Sequence, residues 1–167
     1  MDPCTIKWTT TDAPSVPHQP EGVSFVPNPD AFGYVDWMEP LLPGNEHYDF
    51  WCSKIGAVVA QLHLGEKRNS DYIMDGLPKR YSLYCHHKTS RGKHDRNDVY
   101  LYGARGGFRF RSPGEFQLHA VWLMKGAREN ECECIKCTHG KSQIDINRRY
   151  ALPGLKVHPE RRKRDSV

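Results

Sequence analysis

The sequence contains no apolar run near the roughly 18 residues that a bilayer-spanning helix requires, so no membrane partner is expected. Its opening, Met1-Asp2-Pro3-Cys4, has neither the basic start nor the apolar stretch of a secretory signal, and an intracellular setting is expected. A Gly-rich phosphate loop and a serine-nucleophile motif are both absent, which removes two common routes to catalysis. There is no internal repeat. Acidic residues are scarce in one place, with only 2 between positions 77 and 113, against 9 basic ones.

That scarcity gives the chain its electrical character. Residues 1–76 hold 4 basic and 11 acidic side chains and residues 114–167 hold 11 and 7, so a formal charge of +4 conceals a concentrated basic middle. Such a patch favours a phosphate-rich partner. The 167 residues suffice for one domain with a core of its own and are too few for two of ordinary size. The organisation expected is a flexible arm over 1–20, a single folded unit over 21–157 and a basic tail over 158–167. Arg161-Arg162-Lys163-Arg164 in that tail resembles a nuclear import signal.

Local patterns place the elements. Pro27, Pro29, Pro40 and Pro43 among Phe25, Phe32, Tyr34 and Trp37 suit an extended, irregular segment wrapped on a core. Trp51, Ile55, Val58, Val59 and Leu62 recur at spacings of three and four and draw one apolar stripe along a helix that ends near Gly65. Residues 81–88 alternate as a strand, with Tyr81, Leu83 and Cys85 opposite Tyr84, His86 and Lys88. A second strand over 98–102 turns Val99 and Leu101 inward. Gly103, Gly106 and Gly107 supply a turn, and a third strand is expected at Phe108-Arg109-Phe110-Arg111. Ser112-Pro113-Gly114-Glu115 then starts a helix that runs to about Met124, with serine as cap, proline in the first turn and glutamate three residues after the cap.

Three of the six cysteines, Cys132, Cys134 and Cys137, crowd into one short segment, whereas Cys4, Cys52 and Cys85 are scattered. In a reducing compartment that clustering points to a metal rather than to disulfides. Three thiolates on a tight turn suit tetrahedral Zn2+, and the fourth ligand is either His119 or His139. His119 shares a helical face with Phe116 and Leu123, where an unpartnered imidazole would be costly. A site closed by four protein ligands is structural, with no open position for a catalytic water.

The order strand, basic loop, strand, tight turn, Phe-Arg-Ser, helix resembles the methyl-CpG-binding domain over residues 77–124. The matching pieces are Leu77-Pro78-Lys79-Arg80-Tyr81, Asp98-Val99-Tyr100 and Phe110-Arg111-Ser112. A wider resemblance, over most of residues 49–139, is to the fungal cryptic-loci-regulator transcription-silencing proteins, at the N-terminal domain of the second such regulator. It is carried by the Trp51 to Leu62 helix, Asp-Val-Tyr-Leu-Tyr-Gly, Phe-Arg-Ser-Pro-x-Glu-Phe-x-x-His-x-x-Trp-Leu over 110–123, and the Cys-x-Cys-x-x-Cys that follows. The resemblance implies an α+β fold: a small antiparallel sheet with packed helices, an extended N-terminal segment and a zinc knuckle over 119–139. It also implies His119 as the ligand of the Phe-x-x-His motif. The function implied is that of a nuclear, non-enzymatic subunit of a heterochromatin complex that silences transcription with a histone deacetylase and a chromatin remodeller.

In the methyl-CpG-binding domain two arginines each grip a guanine through a planar fork. Arg111 matches the second of these and Ser112 its neighbour, while Lys88 stands where the first would lie, so the CpG clamp is at best half present. The resemblance further implies that Asp98 orients a cation and that Tyr100 faces the groove. DNA binding is therefore expected to be dominated by phosphate contacts from Lys88, Arg91, Lys93, Arg96, Arg109 and Arg111, with little demand for methylation. One alternative is a scaffold for protein partners without DNA. A remoter one reads His86, His87, His94, Asp95 and Asp98 as a metal-dependent nuclease site, although the following helix offers only His119 and the capping Glu115 as ligands.

Overall fold

A computed structural model of the chain describes residues 2–152; the remainder of the expected 21–157 unit and the basic tail with Arg161-Arg162-Lys163-Arg164 lie outside the described residues. The elements in order are β1 (Cys4–Ile6), β2 (Asp36–Leu41), α1 (Glu46–Val59), β3 (Tyr72–Met74), β4 (Ser82–Lys88), β5 (Arg96–Tyr102), α2 (Pro113–Met124) and α3 (Gln143–Tyr150). This is the α+β class expected, built on a three-stranded antiparallel sheet in the order β2-β4-β5. A separate two-stranded parallel pair joins β1 to β3.

Asn45 opens α1 by accepting the His47 N–H at 2.9 Å, and Trp51, Cys52, Ile55, Val58 and Val59 turn into the core. The helix then widens into a π-type turn over Ala60–Leu64, closed by Gly65 in the left-handed region at φ 73°. Gly56, midway along α1, lets the backbone of β3 lie directly against the helix, since a Cβ there would sit 2.5 Å from the Ile73 Cα.

The two sheet faces differ, as strand alternation requires. Leu83, Cys85 and Leu101 pack on the side of α1 and α2, together with Phe110 and Phe116, both fully buried. The two phenylalanine rings meet edge to face with centroids 4.9 Å apart, and burial of each contributes about 1.5–3 kcal/mol. On the other face Met38, Tyr84 and Tyr102 form a smaller cluster, over which Val23 and Phe25 of the N-terminal segment lie.

Three expectations change. The strand foreseen at 108–111 reduces to one bridge, in which Phe110 and Leu101 exchange two backbone hydrogen bonds of 2.9 Å. Ser112 and Pro113 begin α2 at once and leave the ladder no length. The irregular 21–48 segment contains β2, and Pro40 is tolerated within it because β2 is an edge strand of the sheet, met on its outer side among the described residues by one bridge, from Ser24 to Trp37. Residues 66–76, where the sequence pattern placed no element, contribute β3, and β1 fastens the beginning of the arm to it.

Candidate metal centre and basic face

The start of α2 is fixed at both ends of a capping box. Ser112 accepts the Glu115 N–H at 3.3 Å, and Glu115 reaches back to accept the Arg111 N–H at 2.9 Å. One turn further, His119 is 1% exposed and ringed by Phe108, Phe110, Phe116 and Trp122, the last with its ring centroid 4.9 Å away. After α2 the chain passes left-handed Ala127 and Asn130, at φ 54° and 59°, and returns the cysteines to this imidazole. The Trp122 indole holds the return by donating to the Arg128 carbonyl at 2.7 Å. A tight turn follows in which the Cys134 carbonyl accepts from the Cys137 and Thr138 N–H groups and from the Thr138 hydroxyl.

His119 Nδ1 lies 3.3, 3.7 and 3.6 Å from the sulfurs of Cys132, Cys134 and Cys137. The four ligand atoms fall within 4.8 Å of one another. Zn–S bonds of about 2.3 Å and a Zn–N bond of about 2.0–2.1 Å set at tetrahedral angles give N···S edges of about 3.5 Å. The donor set and its spacing therefore fit a zinc-sized tetrahedral ion. Electrostatics agree with the fit. Hydrogen bonds from Cys132 and Cys137, with His119 beside them, hold the Cys134 thiol far below its usual range, while the same contacts and burial push Cys132 far above its own. A divalent ion at the centre would let the sulfurs be held together as thiolates. His139, the other candidate, is exposed and stands outside the cluster.

The far side of the imidazole has its own partners. Nε2 is 3.1 Å from the Tyr81 hydroxyl and 3.3 Å from Asp12 Oδ2; Tyr81 donates to Asp12 Oδ1 at 2.5 Å, and the Arg105 N–H donates to Oδ2 at 3.2 Å. Burial works to raise the Asp12 carboxyl, but the bonds from His119 and Tyr81 outweigh it and leave it below the ordinary value. Burial, followed by the Asp12 charge, pushes the Tyr81 phenol far up. Sequence reasoning put Tyr81 on the strand face of Leu83 and Cys85 without this role and missed Asp12, because an aspartate among irregular arm residues carries no local signal of its partner.

The six cations expected to meet phosphate divide into two groups. Lys88 pairs with Asp36 at 2.9 Å and Arg96 with Asp98 at 3.0 Å. Arg109 lies over the Tyr100 ring, 4.1 Å from its centroid, and donates to the Tyr102 hydroxyl at 3.3 Å. Tyr100 is thus capped by Arg109, Asp98 forms an exposed ion pair with Arg96, and the Ser112 hydroxyl serves the helix cap. Arg91 and Lys93, in the β4–β5 loop, and Arg111, at the mouth of α2, are exposed and have no carboxylate partner among the described residues. The histidines of the nuclease alternative separate. His86 pairs with Asp36 at 2.7 Å, whereas His87, its neighbour on the other strand face, stacks on Trp37 and bonds Glu39 at 2.7 Å. Among the described residues, the one group of three or more such side chains close enough to share a metal is that of His119. No helix among them is long and apolar enough to cross a membrane.

Residues 72–137, from β3 to the last cysteine, match the family model described as transcription-silencing protein, cryptic loci regulator Clr2. Cryptic loci regulator 2 of Schizosaccharomyces pombe is 29% identical over 79 residues, which are 46% of this chain and 15% of that protein. This chain therefore corresponds to a small part of that relative's length. A solved structure described as Clr2 bound to the Clr1 C-terminus superposes with a TM-score of 0.64 at 20% identity, over 89% of this chain and 33% of the other, which is a likeness of fold. Over residues 72–137 the chain is thus similar to the cryptic loci regulator Clr2 family of transcription-silencing proteins.

Proposed function

We propose that the chain is a non-enzymatic module of nuclear transcriptional silencing that holds DNA by its phosphates through a basic face like that of the methyl-CpG-binding domain. A structural Zn2+ on His119, Cys132, Cys134 and Cys137 closes the chain behind α2. The observation that carries the DNA reading is the set of exposed, unpaired Arg91, Lys93 and Arg111 within the basic 77–113 segment. Lys88 and Arg96 flank the loop that carries Arg91 and Lys93, Arg109 precedes Arg111 by two residues, and each has a partner it can exchange for phosphate. The clamp for a methylated CpG is incomplete, since Lys88 lacks a guanidinium fork and is tied to Asp36.

Titrating a short duplex, unmethylated and CpG-methylated, across a salt series tests this. Three phosphate contacts give a slope of log Kobs against log salt of about −2.7 and six give about −5.4. The expected slope lies between these, is indifferent to methylation, and loses about one unit in Arg111→Ala. Absence of binding at low salt removes the DNA reading. A second reading, a scaffold for the other subunits of a silencing and histone deacetylase complex, is favoured by one observation. Phe25, Val26 and Phe32 stay exposed beside the aromatic outer face of the sheet, and the solved relative is described as bound to a segment of another protein.

A further inference from the structure

The metal ligands come from α2 and the turn after it, but the group behind them comes from the other end of the chain. Asp12 is 9% exposed and sits in a segment with no helix or strand of its own. Four contacts lay that segment on the body: the Trp8 indole donates to the Gly76 carbonyl at 2.8 Å, Thr9 to Met124 at 3.2 Å, Thr11 to Lys79 at 2.8 Å, and β1 pairs with β3. They deliver the Asp12 carboxylate to the Nε2 side of the imidazole whose Nδ1 faces the three sulfurs.

That geometry fixes a tautomer. An imidazole that ligates through Nδ1 must keep its proton on Nε2, and an acceptor there orients the ring and raises its basicity as a ligand. Tyr81 already spends its hydroxyl proton on Asp12, so its oxygen and Asp12 Oδ2 are both acceptors facing Nε2. The arm is anchored at its ends by the buried Ile6 and Ala13, and a groove of about 560 Å³, lined in part by Thr10, Thr11, Asp12 and Trp122, runs beside its middle.

We infer that Asp12 is the positioning residue of the metal centre, and that through it docking of the 7–13 arm and binding of the metal form one linked equilibrium. The inference rests on the zinc reading of the four-ligand cluster. Each event strengthens the other by the same factor, as linkage requires. A silencing partner that grips the arm would therefore tighten or loosen the zinc knuckle.

The test uses the full chain loaded with Zn2+. Affinity is read by chelator competition, and protection of residues 5–14 by amide hydrogen exchange before and after the metal is removed. Asp12→Ala is expected to weaken Zn2+ binding about 10–100-fold, and Asp12→Asn, which keeps an acceptor, by much less. The double variant Thr9→Val with Thr11→Val touches no ligand and is expected to weaken Zn2+ several-fold by loosening the arm. Arm protection is expected to fall when Zn2+ is withdrawn while the core amides of α1 stay protected. Unchanged affinity in Asp12→Ala, or arm protection indifferent to Zn2+, overturns the linkage with the zinc site intact. A parent protein that binds no Zn2+ overturns the zinc reading and the linkage together.

Discussion

Replacing Gly56 by alanine tests how tightly the N-terminal pairing is tied to the core. In an ordinary helix interior this change stabilises by about 0.8–1.0 kcal/mol, because glycine loses the most backbone freedom on folding. Here the new Cβ would lie 2.5 Å from the Ile73 Cα, 2.7 Å from the Tyr72 carbonyl oxygen and 2.8 Å from the Ile73 carbonyl carbon. Carbon atoms pack at about 3.5–4.0 Å, so β3 must retreat by about an ångström. All the nearest atoms are backbone, and no rotamer change relieves the clash. β3 is also the strand that β1 pairs with, from Cys4 opposite Tyr72 to Ile6 opposite Met74, so its retreat strains the root of the arm. Overpacking costs about 1–3 kcal/mol, and because every nearest atom is backbone the upper end of that range applies, which after the propensity gain leaves an expected loss of about 2 kcal/mol.

For a chain of this size that loss corresponds to a fall in Tm of about 4–8 °C. Thermal and urea unfolding of Gly56→Ala beside Gly114→Ala make the comparison. Gly114 lies in the first turn of α2, where the added Cβ meets only the Ser112 hydroxyl, at an ordinary 3.6 Å. Gly114→Ala is expected to be neutral or slightly stabilising. Equal stability of Gly56→Ala and the parent would refute the close approach of β3 to α1, as would an equal loss in both variants.

Alkylation should count the metal ligands. With Zn2+ bound, Cys4 is the exposed free thiol expected to react, and chelation should add Cys132, Cys134 and Cys137; no increase after chelation removes the metal centre. Burial, with Asp49 and Asp75 adding, pushes the Cys52 thiol from 9.0 up to about 12. The folded state therefore favours the neutral thiol, and this contribution is complete below pH 9.0 and lost as pH rises towards about 12. Parent and Cys52→Ala should accordingly differ most in stability near pH 8 and converge towards pH 11; a constant gap refutes it. Ser112→Ala should cost about 1 kcal/mol through loss of the cap, and Ser112→Asp should restore it. Unfolding curves that do not move in Ser112→Ala would mean that the hydroxyl serves something other than α2.

What the sequence disclosed followed the range over which each signal acts. The stripe from Trp51 to Leu62, the stop at Gly65 and the box at Ser112 and Glu115 are satisfied within a turn or two, and each stands where its spacing places it. So do the three cysteines, whose ligand chemistry is local to the turn, and His119, whose position on an apolar face asked for a partner. β1 and β3 were illegible because three residues carry no periodicity, and their pairing joins segments far apart in the chain. Asp12 was illegible for the same reason. Pro40 misdirected the reading of β2: proline argues against a strand only where both edges must donate, and an edge strand has one free edge. The basic face was legible as charge but not as pairing, since Asp36, which neutralises Lys88, lies on a strand that the pattern had not disclosed.

The same distinction of range explains how this chain relates to the proteins it resembles. Similarity in sequence is concentrated over residues 72–137, yet likeness in fold extends over 89% of the chain. The matched stretch holds the candidate metal ligands His119, Cys132, Cys134 and Cys137, the capping box, and Tyr81 behind the imidazole. Those positions accept few substitutes, because a thiolate, an imidazole or a cap works through one atom at one place. It is not a self-sufficient core. Within it β3 needs β1, β4 needs β2, and α2 packs on α1, all of which lie outside the match. The outer elements contribute apolar surface, and many sequences of similar volume and pattern can supply that. The exception among them is Asp12, which contributes a single atom to a single contact, as a ligand does. The linkage of arm and metal therefore predicts that a chain with this fold either keeps an acceptor at this place or builds its knuckle without help from the arm.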